Sequence, residues 1–346
     1  MIHFFRHIRQ GLLSQNRFSK YMLYAVGEIA LVMIGILLAL QVNNWNEQRK
    51  INNEIERVLT LFEQELETNI KECNSFLRYG YVMDSIQGLF NKELVTPEML
   101  RENPGLMYRD FGTRTINFLE ERLNELISME KRMPRQYQHI IPQLHVLKTR
   151  IESQKYWESE ALKLAMSREK ERIDELPWAY KEDSLSVEKA INYVLNNPFY
   201  RNKVRHYYNL QLDENVWDAS LIRTSSVALL WKIKMIRKKD HEPNVKEFFK
   251  DLQLIPLLEY DCMDTPYKLK EVGFRRNLII YNHTKDSTLI NILDSLGQTV
   301  TSGKIPPKSF LLGENSLEDE YFIGIQKDGE CLRVYNFYKE DFLLIE

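Results

Sequence analysis

The stretch from Tyr21 to Val42, YMLYAVGEIALVMIGILLALQV, most constrains how this chain can fold. It is 22 residues long and contains one acidic side chain, Glu28, and no basic one. A helix of this length spans about 33 Å, enough for a bilayer hydrocarbon core of roughly 30 Å. We therefore predict a transmembrane helix over residues 21–42. The alternatives are a cleaved signal peptide, although the run is longer than a usual h-region, and a buried core helix of a soluble protein.

The charges that flank this stretch predict its orientation. Residues 1–20 carry four basic residues, Arg6, Arg9, Arg17 and Lys20, and no acid, whereas both signs are mixed after residue 46. Because positive flanks stay in the cytoplasm, residues 1–20 are predicted to be a basic cytoplasmic segment and residues 43–346 to lie outside. Arg17 and Lys20 on the inner side, and Trp45 on the outer side, are the expected interface anchors.

The predicted membrane helix also carries features of an interaction surface. Glu28 is an ionisable residue inside an apolar span, which is by default a functional hypothesis. Gly35 and Ala39 form a small-xxx-small pair that would let another helix approach closely. We expect the partner to be a second copy or another membrane protein, in addition to the lipid bilayer. The alternative for Glu28 is that it snorkels towards the inner headgroups.

Residues 43–255 are predicted to form an extracytoplasmic antiparallel helical bundle. An apolar stripe with a period near 3.6 follows the span: Ile51, Ile55, Val58, Phe62, Leu66, Ile70, Cys73 and Leu77. Further helices are predicted at Thr115–Arg132, at 140–173, from Ser184 to Leu195 and from Tyr200 to Lys239. Glu63, Glu65 and Glu67 are interpreted as a solvated face, and the Tyr and Trp residues of 193–231 as core packing.

The pattern changes to a period of two near residue 270. Six short segments in residues 270–346 alternate or are rich in β-branched residues, and Asp328-Gly329 is a hairpin signal between two of them. This region is predicted to be a small antiparallel β-sandwich or barrel-like domain. The expected fold class is therefore mainly α, with a transmembrane helix, a bundle and a C-terminal β-domain.

Residues 1–50 contain FFRHIRQGLLSQNRFSKYMLYAVGEI and then IGILLALQVNNWNEQR, with Gly27-Glu28-Ile29 and Trp45-Asn46-Glu47 at the two ends of the span. In these motifs the segment resembles the start of an uncharacterised bacterial family of single-pass membrane proteins. LNNPFYRNKV, residues 195–204, is similar to a later family segment, whereas the last 75 or so residues are not. The resemblance implies a bacterial inner (cytoplasmic) membrane anchor with residues 43–346 in the periplasm. It implies no catalytic residue, because the family is a domain of unknown function.

Motifs for catalysis, cofactors or metals are absent from the sequence. It contains no phosphate loop, dinucleotide fingerprint, nucleophile elbow or zinc-protease motif. A net charge of −2 gives no reason to expect nucleic acid as a partner. Three cysteines permit one disulfide, for which Cys262 and Cys331 are the expected pair, although three unpaired thiols are the alternative.

Three functions are compatible with these observations. The first is a non-enzymatic binding or assembly module anchored in the cell envelope, with no catalytic residue, cofactor or metal. The second is a periplasmic ligand sensor that signals through a partner membrane protein. The third is a hydrolase whose site the sequence does not reveal.

Overall fold

The computed structural model describes residues 18–110, 112, 114–237, 244–260, 277–294, 296–311, 322–327, 330–336 and 342–346. The chain is mainly helical, with a long apolar N-terminal helix, an antiparallel bundle and small sheets towards its C-terminal end. The predicted fold class is confirmed. The α-helices are α1 (Phe18–Asn91), α2 (Pro97–Glu102), α3 (Glu121–Ser128), α4 (Ile141–Glu175), α5 (Ser184–Asn196), α6 (Pro198–Asn209), α7 (Trp217–Arg237) and α8 (Val245–Asp251). Short 3-10 helices cover Pro104–Tyr108, Glu130–Arg132 and Arg135–Ile140, and a π-helix covers Leu210–Val216.

Helix α1 is continuous over 74 residues, a length of about 111 Å. Its first part is exposed on all sides, whereas from Ile55 onwards one face is buried. The predicted stripe is confirmed, since its members from Ile55 to Leu77 are all buried. The same helix therefore has an exposed apolar section near its N-terminal end, and its C-terminal part is the central core helix of the bundle.

The bundle forms because α7 packs along α1 and α4 packs against α7. Arg237 Nη1 lies 2.7 Å from Glu63 Oε1, and Arg223 Nη1 lies 3.3 Å from Asn74 Oδ1. As residue numbers rise along α1 they fall along α7, so the two helices run antiparallel. Leu126, Leu144, Ile151, Ile222 and Leu230 join the α1 stripe in the main core.

The predicted helix over Thr115–Arg132 is wrong in its first part. Residues 114–120 are not helical, and α3 begins at Glu121. Asn69 of α1 explains this, because its side chain accepts from Leu119 N at 2.9 Å and donates to Leu119 O at 2.8 Å. Glu158 of α4 accepts from Ile116 N at 2.8 Å. These side chains satisfy backbone groups that a helix would otherwise pair, so the segment stays extended.

The predicted solvated face of Glu63, Glu65 and Glu67 is also wrong at Glu65. Its carboxylate is buried and accepts from Arg122 N at 2.9 Å and Leu123 N at 3.0 Å. These are free donors in the first turn of α3, which no side chain of its own segment caps. Glu65 is thus a cap supplied by another helix, while Glu63 and Glu67 contact cations of α7.

The predicted long helix from Tyr200 to Lys239 has different bounds and an interruption. The Asn197 side chain accepts from Phe199 N at 2.9 Å and Pro198 occupies the first turn, so α6 begins at Pro198. The π-helix follows, and α7 continues to Arg237; Lys238 and Lys239 lie outside the described residues. Asp183, rather than Ser184, caps α5 by accepting from Ser186 N at 3.0 Å.

Eight strands form two sheets among the described residues. They are β1 (Leu258–Tyr260), β2 (Ile279–Asn282), β3 (Thr288–Leu293), β4 (Thr299–Ile305), β5 (Ser309–Phe310), β6 (Phe322–Lys327), β7 (Glu330–Asn336) and β8 (Phe342–Ile345). The outer sheet has the order β1-β7-β6-β3-β4 and is antiparallel; the inner sheet has the order β5-β2-β8, in which β2 and β8 are parallel. Strands β6 and β7 form the predicted hairpin, although Asp328 and Gly329 themselves lie outside the described residues.

The inner sheet lies between the helices and the outer sheet. Ile279 and Tyr281 of β2 join the core of the bundle, whereas Leu278 and Ile280 join the core between the two sheets. This alternation is that of a strand with both faces buried. Strand β1 precedes the predicted domain start at residue 270 and nevertheless belongs to the outer sheet. The β-region therefore shares its core with the bundle.

Candidate functional site

The exposed part of α1 is the largest apolar surface of the described chain. Its large side chains from Ile29 to Val42 are each 54–69% exposed. It belongs to the one helix, within the described residues, that is long and apolar enough to cross a membrane. An unbroken apolar surface of this size on a soluble monomer would be unusual.

The three predicted interaction residues lie on this part of α1. At about 100° per residue, Glu28, Gly35 and Ala39 fall within a sector of about 40°. A Cβ atom added to Gly35 would meet nothing within 4 Å. Gly35 and Ala39 are exposed, while Glu28 is partly buried. The structure thus places the three on one helix face, and their contact with a partner stays a prediction.

Trp45 marks the end of the apolar section. Its side chain is 65% exposed, and the guanidinium carbon of Arg49 lies 5.4 Å from the centre of its ring. An aromatic ring with a cation one turn further is typical of a membrane–water boundary. Arg17 lies outside the described residues, and of Lys20 only the backbone is described, in α1. The anchoring roles of Trp45, Arg17 and Lys20 therefore remain predictions.

The predicted disulfide also remains a prediction. Cys262 lies outside the described residues, and of Cys331 only the backbone is described, opposite Gln326 in β7. Cys73 is a free thiol in the core of the bundle. Burial raises the pKa of the Cys73 thiol to about 12, so it is an unreactive packing group.

A buried layer of amide side chains crosses the middle of the bundle. Gln154 of α4 and Gln211 and Asn215 of the π-helix are each at most 1% exposed. Ser153 Oγ donates to Asp218 Oδ2 at 2.6 Å, which fixes the register of the two helices next to this layer. One polar atom of each amide, Gln154 Oε1, Gln211 Nε2 and Asn215 Oδ1, has no hydrogen-bond partner among the described residues. Such a layer stabilises a bundle less than apolar packing does.

A second buried polar group joins the bundle to the sheets. Arg223 of α7 is 1% exposed and contacts the carbonyl oxygen of Asn277, which leads into β2, at 3.4 Å. Asn277 N in turn donates to Ser220 Oγ at 2.9 Å, and Asn74 Nδ2 donates to Leu252 O at 3.0 Å. This network fixes the start of the inner sheet and the end of α8 against α1 and α7.

An ion pair fixes the end of the bundle that is far from the apolar section. Arg172 and Asp110 are both buried and hydrogen-bonded to each other. Arg172 Nη1 also lies 3.3 Å from Met107 O, and its guanidinium carbon lies 4.9 Å from the centre of the Tyr108 ring. Burial raises the pKa of Asp110, and Arg172 opposes that effect. The pair holds the 3-10 helix of 104–108 on α4.

The described residues contain no group of three or more His, Cys, Asp or Glu side chains that could hold a metal ion.

The aromatic residues of 193–231 are mainly core residues. Tyr200, Tyr207 and Tyr208 are each at most 2% exposed, and Trp231 Nε1 donates to Tyr281 Oη at 3.2 Å. Their prediction as core packing is confirmed.

Comparison with known proteins gives no further guide: no family model, no curated protein and no solved structure matches this chain.

Sequence reasoning missed the buried polar residues. Glu65, Asn69 and Asn74 lie on the apolar side of α1, where a spacing rule interprets polar residues as exposed. A signal existed only for Asn69 and Asn74, since amides next to an apolar stripe are atypical of a solvated face. Gln154 and Arg223 offer no such signal, because their burial depends on partners that are far away in the sequence.

Proposed function

We propose that this protein is a membrane-anchored binding or assembly module of the bacterial cell envelope, without catalysis. The observation that carries the proposal is the continuity of α1. One helix supplies an apolar section that nothing in the described chain covers, and then the central core helix of the folded bundle. A lipid bilayer satisfies the apolar section, and the bundle then stands outside it.

The orientation follows from the basic flank. With Arg6, Arg9, Arg17 and Lys20 on the N-terminal side, the positive-inside rule keeps the N-terminus in the cytoplasm. Residues 43–346 then face the periplasm, and the membrane is the inner membrane. The resemblance of residues 1–50 to a family of single-pass bacterial proteins supports the same assignment.

A pair of fusions in a two-membrane bacterium tests this topology. Alkaline phosphatase, which is active only in the periplasm, should be active when fused after Glu346, and a cytoplasmic reporter at the same place should be inactive. Carbonate extraction should leave the full chain in the membrane. The opposite reporter activities, or release of the chain by carbonate, would contradict the assignment.

We further propose that the Glu28–Gly35–Ala39 face binds another membrane helix, from a second copy or a different protein. A charged carboxylate that faces lipid costs about 2.5–3.5 kcal/mol at mid-bilayer. Facing a helix, Glu28 can hydrogen-bond, which is worth about 1–2 kcal/mol at most. The small residues let the two backbones come close enough for that bond.

Cysteine crosslinking in membranes tests this contact. On a background in which Cys73, Cys262 and Cys331 are replaced, Ala39→Cys should crosslink efficiently. Leu37→Cys, about 160° away around the helix, should not. Glu28→Gln should retain the contact because an amide still hydrogen-bonds, whereas Glu28→Leu combined with Gly35→Leu should lose it. Equal crosslinking yields at positions 37 and 39, together with no co-purifying membrane protein, would show that the helix serves only as an anchor.

The second candidate is a sensor that signals through a membrane partner. The buried amide layer favours it, because partly satisfied polar packing is where a bundle rearranges at low cost. The π-helix that carries Gln211 and Asn215 contacts α1, which continues into the apolar section. A sensor would change its Ala39→Cys crosslinking yield when its ligand is added, whereas a static module would not.

A further inference from the structure

A cavity of about 210 Å³ lies between α4 and α7, beside the residue that leads into β2. Helix α4 contributes Gln143 and Arg150, and α7 contributes Thr224 and Ser225. Asn277 closes one side. The remaining lining, Val146 and Ala228, is apolar. The cavity therefore has a polar part and a small apolar part, as binding sites for small molecules do.

The polar part is rich in hydrogen-bond donors. Arg150 Nη1 donates to Leu221 O at 3.0 Å and is also hydrogen-bonded to Ser225 Oγ. These bonds fix the guanidinium at the cavity wall, and its fork offers five N–H donors in all. The residues that line the cavity include no carboxylate. Asp218, which interacts electrostatically with Arg150, already accepts from Ser153 Oγ at 2.6 Å.

A second cation lies beside the cavity. Lys232 Nζ is 3.4 Å from Gln143 Oε1, a lining atom, and 3.4 Å from His139 O. The Lys232 side chain is partly buried, and no carboxylate of the described chain lies within ion-pair distance of it. Burial lowers the pKa of Lys232 with no opposing acid, and burial also lowers the pKa of the neighbouring His139. A partly desolvated cation without a counter-ion favours an anion in this place.

We propose that this cavity binds a small molecule that carries an oxyanion, a carboxylate or a phosphate, next to a short apolar portion. The oxyanion would contact the Arg150 guanidinium, which suits planar bidentate recognition, and the Lys232 ammonium beside the cavity would add to the positive potential there. The apolar portion would lie against Val146 and Ala228. A volume of about 210 Å³ exceeds that of a bare inorganic anion but is below that of drug-sized sites, which begin near 300 Å³. This site does not depend on the membrane assignment.

Thermal unfolding of the full chain in detergent tests the proposal, with two probes in separate arms. Sodium phosphate tests the phosphate chemistry, and sodium propionate tests a carboxylate with a short apolar tail. Each is compared with sodium chloride at equal ionic strength, because surface charges respond to any salt. A site that binds only the folded state should give a saturable rise in melting temperature. A saturable rise in melting temperature with either probe supports the site and identifies the class of anion. If neither probe raises the melting temperature more than chloride does, the proposal is overturned.

Single substitutions test whether the rise in melting temperature arises from binding in this cavity. Lys232→Gln should weaken half-saturation about three- to tenfold, because it removes one of the two positive charges at the site. Lys189→Gln, the same change at an exposed position of α5, should leave it unchanged. Val146→Trp should fill the cavity and abolish saturation without changing any charge. Equal saturation in all three variants would show a general ion effect and would refute the site.

Discussion

At the scale of single residues, the buried polar side chains determine the local structure. Glu65 and Asn69 of α1 and Glu158 of α4 each bind backbone groups of residues 116–123. The sequence predicts a helix there because its leucines have helical spacing. The extended part forms instead because the long helices offer these partners, which no local pattern contains.

Glu65→Ala should therefore destabilise the bundle strongly. The substitution leaves the Arg122 and Leu123 N–H groups without their acceptor in a buried place, at about 1–3 kcal/mol for each buried group. We expect a loss of about 2–4 kcal/mol in the free energy of unfolding, measured with urea on residues 47–346. Glu67→Ala is the matched control, because within the described part of the chain the ion pair of Glu67 is with Lys234 near the surface, and its loss should cost under about 1 kcal/mol. Equal losses in the two variants would contradict the capping role.

Glu158 gives a prediction about pH. Burial raises its pKa above the ordinary value of 4.5, so between 4.5 and the folded pKa the native state binds more protons than the unfolded state. Stability contributed by this group is then greatest at low pH and falls as pH rises through that window. Glu158→Gln keeps an acceptor for Ile116 N and should remove this fall. We expect the variant to match the wild type near pH 4 and to be more stable than the wild type at pH 7; a loss of stability at pH 7 would contradict it.

At the scale of elements, sequence patterns predicted most of the helices and strands. The helices predicted at 140–173 and from Ser184 to Leu195 correspond to α4 and α5, and the strands predicted from period-two patterns all form. Strands β1 and β5 were missed because two or three residues are too few for a periodic pattern. The π-helix was missed because one extra residue per turn leaves the spacing of the apolar residues close to that of an α-helix.

The π-helix gives the third prediction. It holds one more residue per hydrogen-bonded turn than an α-helix, so deleting the exposed Asp213 should convert it to an α-helix and leave α6 and α7 in register. Deleting the exposed Arg205 within α6 should instead rotate Tyr207 and Tyr208 by about 100° out of the core. Circular dichroism melting should show a folded protein for the first deletion and an unfolded or severely destabilised one for the second. Unfolding by both would show that the π-helix does not absorb the change.

At the scale of the whole molecule, helices and sheets share one core. The change of pattern near residue 270 predicts a bundle and a separate β-domain, and the residues at that boundary, 261–276, lie outside the described residues. However, Ile279, Tyr281 and Phe342 pack into the bundle core. Periodicity indicates where one kind of element ends, but it does not indicate which buried faces meet.

Removal of residues 257–346 should therefore destabilise the bundle. Burial of Ile279, Tyr281 and Phe342 contributes about 1.5–3 kcal/mol for each side chain, and a typical domain is stable by only about 5–15 kcal/mol. We expect residues 47–256 to melt well below residues 47–346, or without a cooperative transition, in circular dichroism. An unchanged melting temperature would show that the bundle folds independently of the sheets.

Because α1 is continuous, a tilt of its apolar section also displaces the bundle at its far end. From Trp45 to Asn91 the helix extends for about 69 Å. If its apolar section spans a bilayer as proposed, a tilt of about 10° displaces its far end by about 12 Å. An apolar span tilts more in a thinner membrane, because tilting matches its length to the hydrocarbon thickness. In the proposed membrane-anchored arrangement, bilayer thickness would then set how far from the membrane surface, and in which direction, the bundle presents its far end.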